Sequence, residues 1–128
     1  MKQYLDILKH VMENGNDRLD RTGVGTRSLL GVQFRHNLEE GFPALTTKKI
    51  LWKSAIGEML WILEGSGDER RLAEIIHEKH RDELTDKKTV WTANANADYW
   101  KPKATYEGDL GNVYGVNLRF WKNSDGST

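Results

Sequence analysis

A polar loop with an arginine near its head is the first stretch of this sequence whose residue types could bind an anion. Residues 20–26 read Asp-Arg-Thr-Gly-Val-Gly-Thr, with two glycines two positions apart. Glycine lets backbone N–H groups approach a ligand closely, and Arg21 carries a planar, permanently charged fork that suits phosphate or carboxylate oxygens. The spacing matches neither a nucleotide triphosphate loop nor a dinucleotide-binding loop. Such loops are more often plain turns, so a surface turn with an incidental arginine is the alternative.

A glutamate lies in the middle of the most apolar segment, at about residues 48–64. Apolar residues occur on nearly every side of this segment, so the pattern predicts a central, largely buried helix capped by Thr46 or Thr47 and ended by Gly65. Burying an unpaired charge is costly, so a buried Glu58 must be hydrogen-bonded, partnered or protonated. Such a carboxylate is a candidate for transferring protons. The alternative is that Glu58 points along the one wet seam of the helix, and the sequence favours neither interpretation.

One tyrosine is surrounded by glycines in the segment 108–115, Gly-Asp-Leu-Gly-Asn-Val-Tyr-Gly. This arrangement is typical of a loop that brings a side chain, here the phenol of Tyr114, to a defined place. A packed tyrosine in a turn is the commoner case.

Three further patterns frame these residues. Residues 1–14 follow the helical period, and residues 66–81 predict a second amphipathic helix with Asp68 as its cap. Apolar and polar residues alternate over residues 28–36, which predicts a half-buried strand. The polar loop is therefore expected between a helix and a strand.

Length and charge limit the classes of protein to which this chain can belong. A chain of 128 residues suffices for one domain with a core, so we expect a single domain over residues 1–128. Lys and Arg number 19 against 19 Asp and Glu, so no global field favours nucleic acid or a membrane. The sequence shows neither a signal-peptide pattern nor an apolar run long enough to span a bilayer. A cytoplasmic protein that binds no specific nucleic acid is expected.

The sequence contains no cysteine, which excludes disulfides, zinc-thiolate sites and a cysteine nucleophile within these residues. His77 and His80 flank Glu78 but lack the His-Glu-x-x-His spacing and lie in a run of charges. No metal site is predicted.

Five motifs taken together resemble the N-terminal half of thymidylate synthase, particularly the bacterial and phage type. In the family's order they are residues 20–26, Gly41-Phe42-Pro43 with Thr46-Thr47-Lys48-Lys49, Glu58-x-Leu60-Trp61, Val90-Trp91, and residues 108–115. The resemblance covers nearly the whole chain but only about the first half of the family's domain. It implies an α+β fold in which a mixed sheet packs against the long buried helix, with a large sheet across a homodimer interface.

The resemblance also implies roles for five residues. Arg21 would be the family's phosphate-binding arginine, holding the 5′-phosphate of dUMP, which agrees with the anion loop inferred from the residues. Glu58 would be the catalytic glutamate that orders water and moves protons, and Tyr114 would be the catalytic tyrosine near the C5 proton. Lys48 and Trp91 would bind the folate cofactor, 5,10-methylenetetrahydrofolate, at its glutamate tail and beside its rings.

Departures from the family's pattern leave the enzymatic activity of this chain an open question. The family's cysteine attacks C6 of dUMP in a reductive methylation to dTMP, so a chain without cysteine is expected to be inactive alone. We expect a homo-oligomer or a complementary C-terminal chain as its partner. Asn112 replaces a usual proline, Thr92-Ala93 replaces Asp-Glu, and Val-Asn-Leu-Arg at 116–119 replaces Lys-Gln-Trp-Arg.

Two alternatives remain beside a thymidylate synthase portion. The chain could be part of a dUMP or dCMP hydroxymethylase, which shares the framework and lets water finish the reaction. It could also be a non-catalytic binding or interaction module derived from the fold. In either case we expect association, because Leu30, Val32, Phe34, Phe120 and Trp121 would otherwise leave apolar surface uncovered.

Overall fold

A computed structural model describes residues 2–127 and divides the chain into two compact units, the first ending at Ile50 and the second beginning at Leu51. The helices and strands are α1 Lys2–Asn14, β1 Asn16–Arg18, β2 Thr26–Ser28, α2 Trp52–Glu64, α3 Glu69–His77, α4 Thr92–Ala95 and α5 Tyr114–Phe120. Short 3₁₀ helices cover Leu38–Glu40, Arg81–Glu83 and Lys101–Lys103. Over residues 2–127, no helix is long and apolar enough to cross a membrane. The prediction of a single domain stays a prediction.

The first unit is built on the predicted helix α1 and an antiparallel hairpin of β1 and β2. Asp17 and Arg27 are cross-strand partners, and Arg27 donates from Nε and Nη2 to the two carboxylate oxygens of Asp17, each at 2.7 Å. Arg27 Nη1 also donates to the carbonyl oxygen of Met12 at 2.9 Å. One arginine therefore fixes the register of the hairpin and ties it to α1.

The predicted strand over residues 28–36 is wrong, because only Ser28 belongs to a strand. A strand needs a partner, and in the described part of the chain β2 pairs with β1 alone. The sheet among residues 2–127 is therefore a two-stranded antiparallel sheet, not the mixed sheet that the resemblance implies. Gly31 has a φ of 70°, which interrupts an extended path, and Leu30 just before it is fully exposed. The polar loop thus lies between two short strands, not between a helix and a strand.

The long helix of the second unit ends where the sequence predicted, at Gly65, whose N–H donates to the carbonyl oxygen of Ile62 at 3.0 Å. It begins at Trp52 with Leu51 as its N-cap, so the predicted cap at Thr46 or Thr47 is wrong. A Cβ at residue 65 would lie 2.8 Å from atoms of Arg119 and Phe120. The absence of a side chain at Gly65 is therefore what lets α5 pack against the end of α2.

Helix α2 is less buried than its composition predicts. Within it only Gly57 and Trp61 are buried, because α3 and α5 cover only part of its surface. Large apolar side chains on the rest of the helix are about half exposed; they are Ile56, Met59, Leu60 and Leu63.

The core of the second unit is a small cluster centred on Trp61. Trp61 and Leu72 are fully buried, and Ala95 and Leu110 complete the cluster. The indole N–H of Trp61 donates to the backbone carbonyl of Asp68 at 2.8 Å, so this large side chain is buried without an unpaired polar group.

The start of α3 is joined to the glycine-rich segment 108–111. Asp68 caps α3 as predicted, since its Oδ1 accepts from the backbone N–H of Arg70 at 2.9 Å. Glu69 N–H donates to the carbonyl of Gly108 at 2.8 Å, and Leu110 N–H donates to the carbonyl of Gly67 at 2.9 Å. These bonds fix the path of the chain shortly before Tyr114.

A buried carboxylate inside this segment gives stability a dependence on pH. Asp109 is 8% exposed and accepts from the backbone N–H groups of Thr105 and Gly111 and from the Thr105 hydroxyl, at 2.7–2.9 Å. The Thr105 backbone bond, together with the others, lowers the pKa of Asp109 below its ordinary 3.8. The unfolded chain therefore takes up this proton at a higher pH than the folded chain.

We expect the stability contributed by Asp109 to be complete above pH 3.8 and to disappear as the pH falls from there through the lower folded pKa. Asp109→Asn should lower the free energy of unfolding at pH 7 by about 1–3 kcal/mol, and the deficit should shrink toward pH 2.5. Urea unfolding of both proteins across this range measures the difference. A difference in the free energy of unfolding that stays the same at every pH would contradict the lowered pKa of Asp109.

Candidate functional site

The polar loop is shaped by one aspartate. Asp20 Oδ1 accepts from the backbone N–H of Thr22 at 2.9 Å and from the Thr22 hydroxyl at 2.6 Å. The hydroxyl bond and the backbone bond from Thr22 lower the pKa of Asp20, so the turn is made by an ionised carboxylate. Asp20 Oδ1 therefore bonds within the turn, and Arg21 lies between Asp20 and Thr22, the two residues that form it.

The second glycine of the loop is required by the backbone. Gly25 has a φ of 83°, a conformation that residues with a side chain rarely adopt. A Cβ there would also lie 3.2 Å from the carbonyl oxygen of Arg18, where the strand β1 ends. The spacing of glycines that marks the loop in the sequence therefore reflects how the loop closes between β1 and β2.

Arg21 is exposed, and its guanidinium makes no hydrogen bond or ion pair to any residue among 2–127. Arg27 differs from Arg21 in this respect, because the guanidinium of Arg27 donates hydrogen bonds to Asp17 and Met12. Lys48, also in the first unit, is exposed and likewise has no partner within the described residues. Arg21 thus has the free donors that an anion-binding residue needs, and its role stays a prediction.

Three of the five predicted site residues come together in the second unit. The indole N–H of Trp91 donates to Glu58 Oε1 at 2.7 Å. The rings of Trp91 and Tyr114 meet edge to face, with centroids 5.9 Å apart and planes at 70°. Trp61, in the core, lies 6.1 Å from Trp91 by ring centroids. We call Glu58, Trp91 and Tyr114 the α2–α5 cluster.

The surroundings of Glu58 fit a hydrogen-bonded carboxylate, not a freely solvated one. Its residue is half-buried, and Oε1 is held by the indole of Trp91. Oε2 accepts no hydrogen bond from the described residues, so this oxygen is available to water or to a ligand. The carboxylate is thus oriented at one oxygen and open at the other, which is the geometry of a group that can exchange a proton.

Tyr114 begins α5 and is 65% exposed. Its neighbour Gly115 is buried, and a Cβ there would lie 3.0 Å from the carbonyl oxygens of Ile62 and Ser66. The first turn of α5 therefore lies directly on the end of α2, which places the phenol beside Trp91. The hydroxyl has no partner in residues 2–127 and can bond to a ligand.

Sequence reasoning missed the polar network that supports Trp91. Glu69 and Arg70 form a buried ion pair, and the hydroxyls of Thr89 and Thr92 both donate to Glu69 Oε1 at 2.6 Å. Glu-Arg after a capping aspartate is typical of a solvated first helical turn. Only the departure Thr92-Ala93, directly after Trp91, marked this region as unusual.

Two comparisons with known proteins bear on the family of this chain. A sequence model of the family described as thymidylate synthase matches residues 2–128. Among solved structures, the chain is similar to the crystal structure of thymidylate synthase from T4 phage, with 40% sequence identity and a TM-score of 0.80. That similarity covers 100% of this chain and 42% of the T4 chain, so this chain spans less than half of that structure's length. The predicted α+β, thymidylate synthase-like fold is confirmed, and the chain belongs to the thymidylate synthase family.

Proposed function

We propose that this chain supplies two parts of a dUMP-methylating enzyme: a phosphate-binding arginine in its first unit and a proton-handling cluster in its second. The observation that carries the proposal is the α2–α5 cluster, because three side chains from three separate motifs converge there. There a half-buried carboxylate, with one oxygen bound to an indole and the other open to water or a ligand, lies beside two aromatic side chains.

The cluster offers proton transfer. Glu58 is oriented by the indole of Trp91, and its free oxygen can order a water molecule and exchange a proton with a pyrimidine ring. The exposed phenol of Tyr114 can donate a hydrogen bond or accept one beside it. Glu58 and Tyr114 are therefore proposed as the catalytic residues of this chain.

The residues predicted for the folate fit its chemistry. The half-buried ring of Trp91 and the exposed ring of Tyr114, which meet at 70°, are aromatic groups that can contact a flat heterocycle. Lys48 is an exposed cation without a partner among the described residues. When bound, 5,10-methylenetetrahydrofolate supplies the one-carbon unit and the hydride. Trp91 is proposed to contact its rings and Lys48 its glutamate carboxylates.

The nucleophile is not among these 128 residues, since none of them is cysteine. We propose that a thiol outside this sequence attacks C6 of dUMP, from the same or a second polypeptide, and that these residues alone do not turn over substrate. The half-exposed apolar side chains of α2 and α5 support association with further polypeptide.

The phosphate assignment is tested by Arg21→Ala. Charge-assisted hydrogen bonds to a phosphate are worth about 1.5–3 kcal/mol, so we expect dUMP affinity to fall by roughly 10- to 150-fold. Isothermal titration calorimetry with dUMP and with deoxyuridine, which lacks the phosphate, measures the effect. Affinity for deoxyuridine should stay the same.

Arg18→Ala is the matched control, because Arg18 lies in the same hairpin and is also exposed. Its substitution should change dUMP affinity much less. Equal losses for the two variants, or an equal loss for deoxyuridine, would refute the assignment of Arg21. An unmodified chain that does not bind dUMP at all would refute the proposed substrate.

A further inference from the structure

Glu69 has a buried carboxylate that accepts four hydrogen bonds. It is 1% exposed, and Oε1 accepts from the hydroxyls of Thr89 and Thr92 at 2.6 Å and from Arg70 Nη2 at 2.8 Å. Oε2 accepts from Arg70 Nε at 2.7 Å. Burial alone would raise the pKa of Glu69, but these hydrogen bonds and the charge of Arg70 leave it lowered, so the buried group is an anion.

The ion pair holds both ends of the segment 84–92. At one end, Arg70 donates to the backbone carbonyls of Leu84 and Lys87 at 3.1–3.3 Å. At the other end, the hydroxyls of Thr89 and Thr92 are bound to Glu69. Since a buried ion pair contributes little net stability compared with apolar packing, its use here is better explained by the geometry it imposes on this segment.

A continuous set of contacts leads from Glu69 to the α2–α5 cluster. The Thr89 hydroxyl donates to Glu69 and accepts from the backbone N–H of Trp91 at 3.1 Å. The side chain of Trp91 then donates to Glu58 at 2.7 Å. Thr89 N–H also donates to the hydroxyl of Thr92 at 2.8 Å, which closes the turn on either side of Trp91.

We propose that Glu69 is a positioning residue: through the hydroxyl of Thr89 it fixes the backbone of Trp91, and thereby the indole that orients the Glu58 carboxylate. Glu69 itself contacts neither substrate nor cofactor. Its consequence for catalysis rests on the function proposed above, whereas its effect on Trp91 does not. The two are therefore separable by experiment.

Thr89→Val is the informative variant, because valine has the shape of threonine but lacks the hydroxyl. In the full chain labelled with ¹⁵N, the indole N–H signal of Trp91, assigned with Trp91→Phe, should move. Its hydrogen-exchange rate should rise by about tenfold or more, as expected for a weakened bond to a charged acceptor. Thr89→Ser should restore the signal, and Glu69→Gln should displace it in the same direction.

Thr105→Val is the matched control. Thr105 also donates its hydroxyl to a buried carboxylate, that of Asp109, at 2.9 Å, but neither residue is among the hydrogen-bond partners of Trp91. An unchanged Trp91 signal in Thr89→Val, or an equal displacement in Thr105→Val, would overturn the proposal.

The catalytic consequence is measured in the enzyme completed with the thiol-bearing polypeptide. Thr89→Val should lower kcat by about tenfold or more, as expected for a misaligned proton-transfer group. KM for dUMP should change by less than about twofold, and Thr89→Ser should recover kcat. A displaced indole signal with unchanged kcat would refute the catalytic consequence. A displaced signal in an enzyme that is inactive without any substitution would refute the proposed function and leave the positioning of Trp91 established.

Discussion

Glu58→Gln is expected to lower kcat of the completed enzyme by about 10²–10⁴-fold, the range that general acid–base groups contribute. The amide keeps the size of the side chain, and its oxygen can still accept the indole N–H of Trp91. What the variant loses is the ability to take up and return a proton. Release of tritium from C5-labelled dUMP and formation of dTMP both measure the change, while dUMP affinity should stay close to that of the unmodified enzyme.

Glu64→Gln provides the control on the same helix. Glu64 is bound to Arg71 at 2.6 Å on the exposed surface, and neither residue takes part in the hydrogen bond or the ring contact of the α2–α5 cluster. We expect kcat of this variant to stay within about twofold, because exposed ion pairs contribute little. If Glu58→Gln is as active as Glu64→Gln, Glu58 is not a proton-transfer group.

Trp61→Ala is expected to cost about 3–5 kcal/mol of the free energy of unfolding, the usual loss for a large aromatic side chain removed from a core. Trp61 is fully buried, and its removal also leaves the backbone carbonyl of Asp68 without its indole donor. Because small domains are stable by only about 5–15 kcal/mol, the variant should lose much of its cooperative unfolding transition. Urea denaturation followed by far-ultraviolet circular dichroism measures the loss.

The same substitution at an exposed tryptophan shows whether the loss of stability comes from burial of the side chain or from the residue type. Trp121 is 66% exposed, and Trp121→Ala should cost less than about 1 kcal/mol. Similar losses at the two positions would mean that the core of the second unit is not centred on Trp61.

Elements with local signals could be predicted from the sequence. Asp68 caps α3 and Gly65 ends α2 through bonds to residues only two to four positions away, so the residue types themselves carry the information. Strand pairing is different. β1 consists of Asn-Asp-Arg and has no apolar alternation, and it forms because Asp17 meets Arg27 across the hairpin. Residues 29–36 alternate correctly but have no partner strand within the described part of the chain.

The candidate site also has residues that could be predicted from the sequence and residues that could not. The order of motifs pointed to Glu58, Trp91 and Tyr114, and the structure brings these three together. The support of Trp91 could not be predicted, because the burial of Glu69 and Arg70 depends on a segment more than ten positions away folding over them. Charged residues at a helix start look alike in sequence whether or not such a cover exists.

The way Arg70 holds the loop before Trp91 has a consequence for how this protein can vary. Its guanidinium binds the main-chain oxygens of Leu84 and Lys87, so it recognises the course of the backbone and not the side chains at 85–88, which are all exposed. Substitutions at those positions can therefore accumulate and change the local surface charge without disturbing the turn. An insertion or deletion there would shift which carbonyls meet the guanidinium, so loop length, unlike loop composition, is constrained.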